Sequence, residues 1–424
     1  MRILCVSQWF EPEPTFKGLV FAKALQAAGH DVEVITGFPN YPDGHIYPNY
    51  KIRGLQREVM DGIRVNRVPL YPSHNSSAID RALNYLSFAV TSCLYGIFAA
   101  RKADVIYAYH PPATVSLSAA LIGMIRRIPV VVDINDLWPD TLAATGMVRD
   151  ARLLRIVSRV CLWIYSRAAR VVVGTPGYRT RLVERGVPPE KIEVIYNWCD
   201  ESSLRLPHAA SDDAFGMKGR FNVVFAGTMG KAQALGAVVR AAKRVEAVDP
   251  RVQFVFVGGG IEVENLKGLV RELGAETVRF LPRMPVNEIG RVLLGADVLL
   301  VHLKDDPLFE ITIPSKTQAY MGVGKPVLMA VKGDAADLVN AAGAGRCAMP
   351  EDEASLAAAV MDMAALPSPA LEEMGKRGAE YYSQNLSLKI GTEKFLKVFR
   401  AVITGRPRGS NGRAPILPEP RIDA

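Results

Sequence analysis

The sequence predicts two α/β domains in succession, each a parallel sheet with helices on both faces, and three observations carry that prediction. The chain has 424 residues, more than one ordinary core accommodates. Short β-branched runs alternate with helical patterns through both halves. Between the halves, residues 201–220 are polar, with Pro, Gly and charges of both signs.

In the first half, Ile3-Leu4-Cys5-Val6 reads as a strand and LVFAKALQAAGH as a helix stopped at Gly29, a residue that tolerates positive φ. DVEVIT and RVNRVPL follow as strands, then ADVIYAYH, the helix-like VSLSAALIGMIRR, IPVVVDIND, a long helix near 151–170 and RVVVGT. After 201–220 the alternation restarts with NVVFAGTMG, VQFVFVGGG, TVRFLP, DVLLVHL and KPVLMAV as strands separated by helices. The predicted domains are 1–200 and 201–385. A helix over 386–403 is expected to cross back to the first domain, and 404–424, rich in Pro, Gly and Arg, is expected to be a disordered tail.

Composition narrows the class. Apolar residues at 49% and charged residues at 22% are the balance of a globular chain with sizeable cores. A net charge of +8 suits an anionic partner: a nucleic acid, a phosphorylated substrate or an anionic membrane surface. Five dispersed cysteines lack the spacing of a zinc site or disulfide framework and read as reduced thiols of a cytosolic protein. The opening MRILCVSQWF reads as a strand, its apolar run being too short for a signal peptide. Residues 82–100 carry no charge, but Asn84, Ser87, Thr91, Ser92 and Gly96 dilute the run. A buried or membrane-skimming helix is expected there rather than a span, which would break a domain in two.

Open α/β sheets bind ligands beyond the carboxyl ends of their strands. After NVVFA come Gly227-Thr228-Met229-Gly230-Lys231-Ala232-Gln233, where two glycines let a backbone approach a ligand and a helix start offers N–H groups to a phosphate. A tight turn explains the same residues, and no dinucleotide or P-loop pattern is completed. Gly258-Gly259-Gly260 repeats the arrangement at the next strand. In PLFEITIPSKTQAYMGVGKPVLMAV (307–331), Pro314-Ser315-Lys316-Thr317 opens a helix; Ser or Thr can cap it and Lys316 can reach an anion drawn by the dipole.

With these motifs the sequence resembles glycosyltransferase family 4, and within it the bacterial polysaccharide enzymes similar to N-acetylfucosamine transferases. The matching segments run in order through nearly the whole chain: GFPNYPDGHIYPNYK, YHPPATVSL, VVDINDLWPD, TPGYRTRLVERGVPPEKIEVIYNWCD, FAGTMGKAQAL, FVGGGIE, RFLPRMPVNEI and IPSKTQAYMGVGKPVL. The resemblance implies a GT-B fold, two Rossmann-like domains facing each other across a cleft, with a nucleotide held by the second. It implies that Gly227, Thr228, Gly230 and Gln233 line a diphosphate loop and that Arg283 and Met284 sit by the base. Lys316, flanked by Ser315 and Thr317, would face the diphosphate, with Gln318 and Tyr320 near the ribose. In the first domain, Lys17 and Gly18 would approach the donor phosphate and His110 the transferred sugar.

Asp133, Asp136 and Asp140 follow a buried strand, where carboxylates are costly unless they face a cleft or are paired. Asp136 is the candidate for the acceptor hydroxyl, with a helix-capping role as the plain alternative. Two departures from the family stand out. Its usual Arg and Lys in the diphosphate loop are replaced by Thr228 and Gln233, leaving Lys316 and Lys231 to neutralise the leaving group. Its Glu-x7-Glu pattern is incomplete: Glu310 is the catalytic candidate, but after the seven intervening residues stands Gln318, and alignment on Ser-Lys-Thr puts Ala319 at the second Glu.

The implied activity is retaining transfer of a sugar, an N-acetylated amino sugar from a UDP donor, to a lipid-linked or saccharide acceptor in O-antigen or capsule biosynthesis. No Asp-x-Asp clamp is present, and no metal or other cofactor is expected. Arginines at 152, 155, 159, 167 and 170 recur at helical spacing with Trp163 among them, which suits an anionic membrane surface as well as a solvated face. The expected location is the cytoplasm, peripheral on the inner membrane, with no nucleic-acid partner. A UDP-sugar 2-epimerase and a non-catalytic nucleotide-sugar-binding protein of the same fold are the alternatives.

Overall fold

The computed structural model describes residues 1–73, 78–144, 146–148, 150–201 and 215–405. The expected tail from 406 onward and most of the polar segment between the halves lie outside the described residues. The chain forms two compact units, one of Met1–Ile195 with the residues from Gly391, the other of Tyr196–Ile390.

The first unit contains β1 (Arg2–Val6), α1 (Leu19–Ala27), β2 (Asp31–Gly37), β3 (Gln56–Met60), β4 (Ile63–Val68), α2 (Ala78–Phe98) and β5 (Val105–His110). It continues with α3 (Ala113–Arg126), β6 (Val130–Ile134), α4 (Asp140–Ala144), α5 (Ala151–Arg167), β7 (Arg170–Val173), α6 (Pro176–Glu184) and β8 (Ile192–Val194). Its eight strands run in the order β3-β4-β2-β1-β5-β6-β7-β8, parallel except for the β3–β4 pair. The central strands β5 and β6 are buried along their whole length, so VIYAYH and VVVDI read as apolar runs without alternation.

The second unit contains β9 (Phe221–Thr228), α7 (Leu235–Glu246), β10 (Val252–Gly259), α8 (Val263–Leu273), β11 (Val278–Leu281), α9 (Val286–Gly295), β12 (Val298–His302) and α10 (Pro307–Glu310). It continues with α11 (Ser315–Val323), β13 (Val327–Ala330), α12 (Asp334–Ala342), β14 (Gly345–Cys347), α13 (Glu353–Ala364) and α14 (Ser368–Asn385). Its six strands are all parallel, in the order β11-β10-β9-β12-β13-β14. Alternate residues of β9 serve opposite faces: Val223 and Phe225 join one core, Val224 the other.

The boundary falls between Ile195 and Tyr196 rather than at 200/201. Cys199 is already buried in the second unit, its N–H and thiol 3.3 and 3.1 Å from the Tyr382 hydroxyl. The last helix, α15 (Leu388–Thr404), belongs to the first unit from Gly391 onward. There the Phe395 ring packs 5.1 Å from Phe21 and 5.5 Å from Tyr107.

Each sheet reverses its strand order once, between β1 and β5 in the first unit and between β9 and β12 in the second. Those are the points at which neighbouring crossovers diverge and open a crevice beyond the strand ends. No single helix is long and apolar enough to cross a membrane, among the described residues.

Candidate active site

In the second unit the switch point is built from glycines. Gly227 lies near the end of β9 at φ +141°, Gly258 near the end of β10 at φ +134° and Gly260 just after β10 at φ +152°, a region that side chains avoid. A Cβ on Gly258 would lie 2.1 Å from the Gly227 carbonyl oxygen, and one on Gly260 2.3 Å from that of Met229. The two loops therefore touch backbone to backbone. Met229 N–H donates to the Gly259 carbonyl (2.8 Å) and Glu262 N–H to that of Met229 (3.1 Å). Gly230 is extended, and its N–H donates to the Gln233 Oε1 at 3.0 Å. Gln233 thus braces the loop it was expected to line. Thr228 and Lys231 stay exposed on it.

Facing that loop is Lys316, in the first turn of α11. Its Nζ sits 3.6 Å from the centre of the Phe225 ring and 3.2 Å from where a Cβ on Gly227 would stand. Among the described residues it forms no ion pair, and burial pushes its ammonium down to about 7. The expected Ser or Thr cap is absent. Pro314 occupies the cap position and no side chain accepts from the first turn, because Ser315 and Thr317 fall inside the helix. An uncapped helix start beside a partly buried ammonium attracts an anion.

Three neighbours are corrected by their burial. Tyr320 does not lie open to a ribose: it is buried, its hydroxyl accepting from Ala226 N–H (2.9 Å) and donating to the Ala226 carbonyl (3.2 Å). The reason is topological. Strand β12 pairs with β9 only at Val223 and Val224, so Ala226 lies beyond the ladder and Tyr320 replaces the missing strand. Gln318 is buried with its amide against the carbonyls of Pro314 and Ser315, which the orientation placing the amide nitrogen toward them satisfies at 3.0 and 3.1 Å. Thr317 is fully buried, its hydroxyl without a protein partner among the described residues. Glu310 and Arg283 are exposed and Met284 half-buried against the core.

His302, which nothing in the sequence singled out, is fully buried at the end of β12. Its Nδ1–H donates to the Gln233 carbonyl (2.7 Å) and its Nε2 accepts from Glu351 N–H (3.1 Å). Those two bonds define one neutral tautomer, and burial lowers its pKa further. It ties the glycine loop to the chain before α13.

In the first unit the switch point gathers His110 and Asp136. His110 is fully buried; Nδ1 lies 3.4 Å from the Ser116 hydroxyl, Nε2 has no protein partner among the described residues and the Trp138 ring stands edge-on at 6.1 Å. Burial pushes its imidazole down to about 3, so it is neutral at any working pH. The Asp136 carboxylate forms no hydrogen bond or ion pair among the described residues, and burial raises its pKa. It caps nothing. Asp140 is paired with Arg185, and Asp133 is fully buried.

Lys17 and Gly18 are corrected most. Lys17 is buried and pairs with Asp133 at 2.6 Å, where the Tyr107 hydroxyl also donates at 2.6 Å. The start of α1, expected to meet a phosphate, is filled from within: Glu11 Oε2 accepts from Leu19 N–H at 2.7 Å. A Cβ on Gly18 would lie 2.3 Å from that carboxylate oxygen. Glu13, also unforeseen, is buried and accepts from the N–H groups of Phe10, Asn40 and Tyr41 at 3.2, 2.8 and 2.8 Å, stapling the loops after β1 and β2.

Two Rossmann-like units in succession, the second with a glycine loop at its switch point facing a lysine that forms no ion pair among the described residues, have the architecture of the GT-B glycosyltransferases. The comparisons agree. Residues 19–198 match the glycosyl transferase 4-like domain and 212–381 the glycosyl transferases group 1 domain. The chain belongs to glycosyltransferase family 4 and is a glycosyltransferase. It is 26% identical over 312 residues to a Pseudomonas aeruginosa protein named "Probable glycosyltransferase WbjE", covering 72% of this chain and 76% of that one. It is 25% identical over 342 residues to WcaI of Escherichia coli K12, a candidate colanic acid biosynthesis glycosyl transferase, covering 76% and 82%. Among solved structures, Anabaena HepE in complex with UDP superposes with a TM-score of 0.69 at 17% identity, covering 95% of this chain and all of that one.

Proposed function

We propose that the protein transfers a sugar, with retention, from a UDP donor to a lipid-linked or saccharide acceptor in the biosynthesis of a bacterial surface polysaccharide. One observation carries the donor half: a partly buried lysine that forms no ion pair among the described residues, set against a glycine loop and an uncapped helix start. A diphosphate supplies the charge this pocket lacks, and the same groups stabilise it as it leaves. HepE was solved with UDP and with UDP-glucose, which supports a uridine donor. The name of WcaI, a candidate colanic acid biosynthesis glycosyl transferase, supports the polysaccharide setting. An N-acetylated amino sugar and an O-antigen or capsule product complete the reading on the family resemblance.

In the reaction, the acceptor oxygen bonds to the anomeric carbon on the face from which the diphosphate departs. The acceptor proton passes to the leaving phosphate oxygen, so no protein nucleophile is needed. His110, uncharged, serves as a hydrogen-bonding group, and Asp136 orients the acceptor hydroxyl. Lys316 and the backbone amides carry the leaving-group charge without a metal.

Incubation of the purified protein with UDP-sugars and lipid-linked acceptors, read by product isolation and by the anomeric coupling in NMR, tests this. Transfer with retention is expected. Sugar epimerisation without an acceptor, inversion, or failure of folded protein to bind UDP overturns it.

A further inference from the structure

One face of the first unit carries exposed apolar residues on three neighbouring helices. The connections β4 to β5, β5 to β6 and β6 to β7 all step in one direction across the sheet, so right-handed crossovers place α2, α3 and α5 on one face. The helices pack in that order, α2 on α3 and α3 on α5. The inward side of α2 explains its polar residues. Asn84 is buried with its carbonyl 2.5 Å from the Gln8 amide, Ser92 meets Ser118 at 2.8 Å, and a Cβ on Gly96 would lie 2.3 Å from Ile122.

The outward side carries Leu83, Leu86, Val90, Leu94 and Phe98, all exposed, Phe98 at 81%. Recurring every three or four residues, they form one stripe about 22 Å long. No charged residue stands between Arg81 and Arg101 to interrupt it. Met124 and Ile125 on α3 and Leu153 and Ile156 on α5 are exposed as well. Scattered exposed apolar residues need no explanation, whereas a continuous patch marks an interaction surface.

Charge says what covers it. Across the three helices there are six arginines and a single acid, Asp80. Arg152, Arg155 and Arg159 are exposed and form no ion pair among the described residues. We infer that this face lies on an anionic lipid surface, the apolar stripe entering the headgroup boundary and the α5 arginines meeting phosphates. A second copy docked on the same face would set arginine row against arginine row. The attachment is peripheral, at the cytoplasmic face of the inner membrane, and goes beyond the donor chemistry proposed above, with which it shares no residue.

Co-sedimentation of the full chain with phosphatidylcholine vesicles, with and without phosphatidylglycerol, tests it. Binding to the anionic vesicles alone is expected, weakening as salt is raised. Val90→Glu with Leu94→Glu abolishes it. Arg155→Gln and Arg159→Gln each weaken it about fivefold. Circular dichroism and UDP affinity stay unchanged in these variants, which separates loss of attachment from loss of fold or of donor binding. Absence of wild-type binding to anionic vesicles, or variants that bind like the wild type, overturns the inference. So does a wild-type dimer that ignores vesicles and is dissociated by Val90→Glu with Leu94→Glu, which would give the face to a second copy.

Discussion

The Lys316 ammonium rests 3.6 Å above the centre of the Phe225 ring, with no carboxylate paired to it among the described residues. The ring face attracts the cation but cannot replace its hydration, so the charge is held at a disadvantage until an anion arrives. On the proposed function, nucleotide binding would relieve that disadvantage, and two predictions come from it.

Lys316→Met removes the charge while keeping the length of the side chain. UDP affinity is expected to fall roughly 10- to 150-fold, the equivalent of losing about 1.5–3 kcal/mol of charged hydrogen bonding. Isothermal titration calorimetry reads it. Unchanged affinity would put the diphosphate elsewhere. The free variant is expected to melt higher than the wild type. The folded-state value of about 7 lies below the ordinary 10.5. The penalty for charging Lys316 is therefore fully present below about pH 7 and lifts as pH rises toward 10.5. The gain in Tm should shrink accordingly between pH 7 and pH 9.5.

The same value predicts that donor binding is proton-linked. Above about pH 7 the free lysine is mostly neutral, whereas beside a diphosphate it stays charged. UDP binding at pH 8 is expected to take up a proton, and at pH 6 almost none, with affinity declining as pH rises. Calorimetry in buffers of different ionisation enthalpy measures the uptake. Lys316→Met should abolish it.

Gly258→Ala is expected to lower stability by on the order of 3 kcal/mol or more, since the new Cβ would stand 2.1 Å from the Gly227 carbonyl oxygen at a φ of +134°. Gly259→Ala, with nothing within 4 Å, is the control and should change stability by less than about 1 kcal/mol. Denaturant titration compares the two.

Lys17→Met is expected to act on the fold rather than on the KM for the donor. It leaves Asp133 buried without its cation, a change that typically removes about 3–5 kcal/mol. Lys17→Met combined with Asp133→Asn should recover much of that loss. A KM effect without a stability effect would restore Lys17 to the donor site.

Tyr320→Phe leaves the N–H and carbonyl of Ala226 unpaired at the open end of β9. A loss of about 1–3 kcal/mol in stability is expected, with no change in nucleotide preference. Thermal melts and competition between UDP and GDP distinguish this from a ribose contact.

Much of this was legible along the chain. Strand and helix alternation, the glycine loops after β9 and β10 and the lysine at the start of α11 are local patterns, set by backbone conformation and period. They sufficed for the fold class and for placing the glycine loop and Lys316 at the second switch point. Partnership was not legible. Lys17 reads like Lys316, a lysine at a helix start after a strand, yet one is neutralised by Asp133 and the other faces no acid among the described residues. Lys17 and Asp133 lie 116 residues apart, and only the assembly of β1, β5 and β6 side by side in one sheet brings them together. Tyr320 became a substitute for a strand because β12 leaves β9 after two pairs, an event no window of sequence records. Which polar groups remain free for a ligand was thus decided by the tertiary structure, because burying such a group requires a partner and the partner can come from anywhere in the chain.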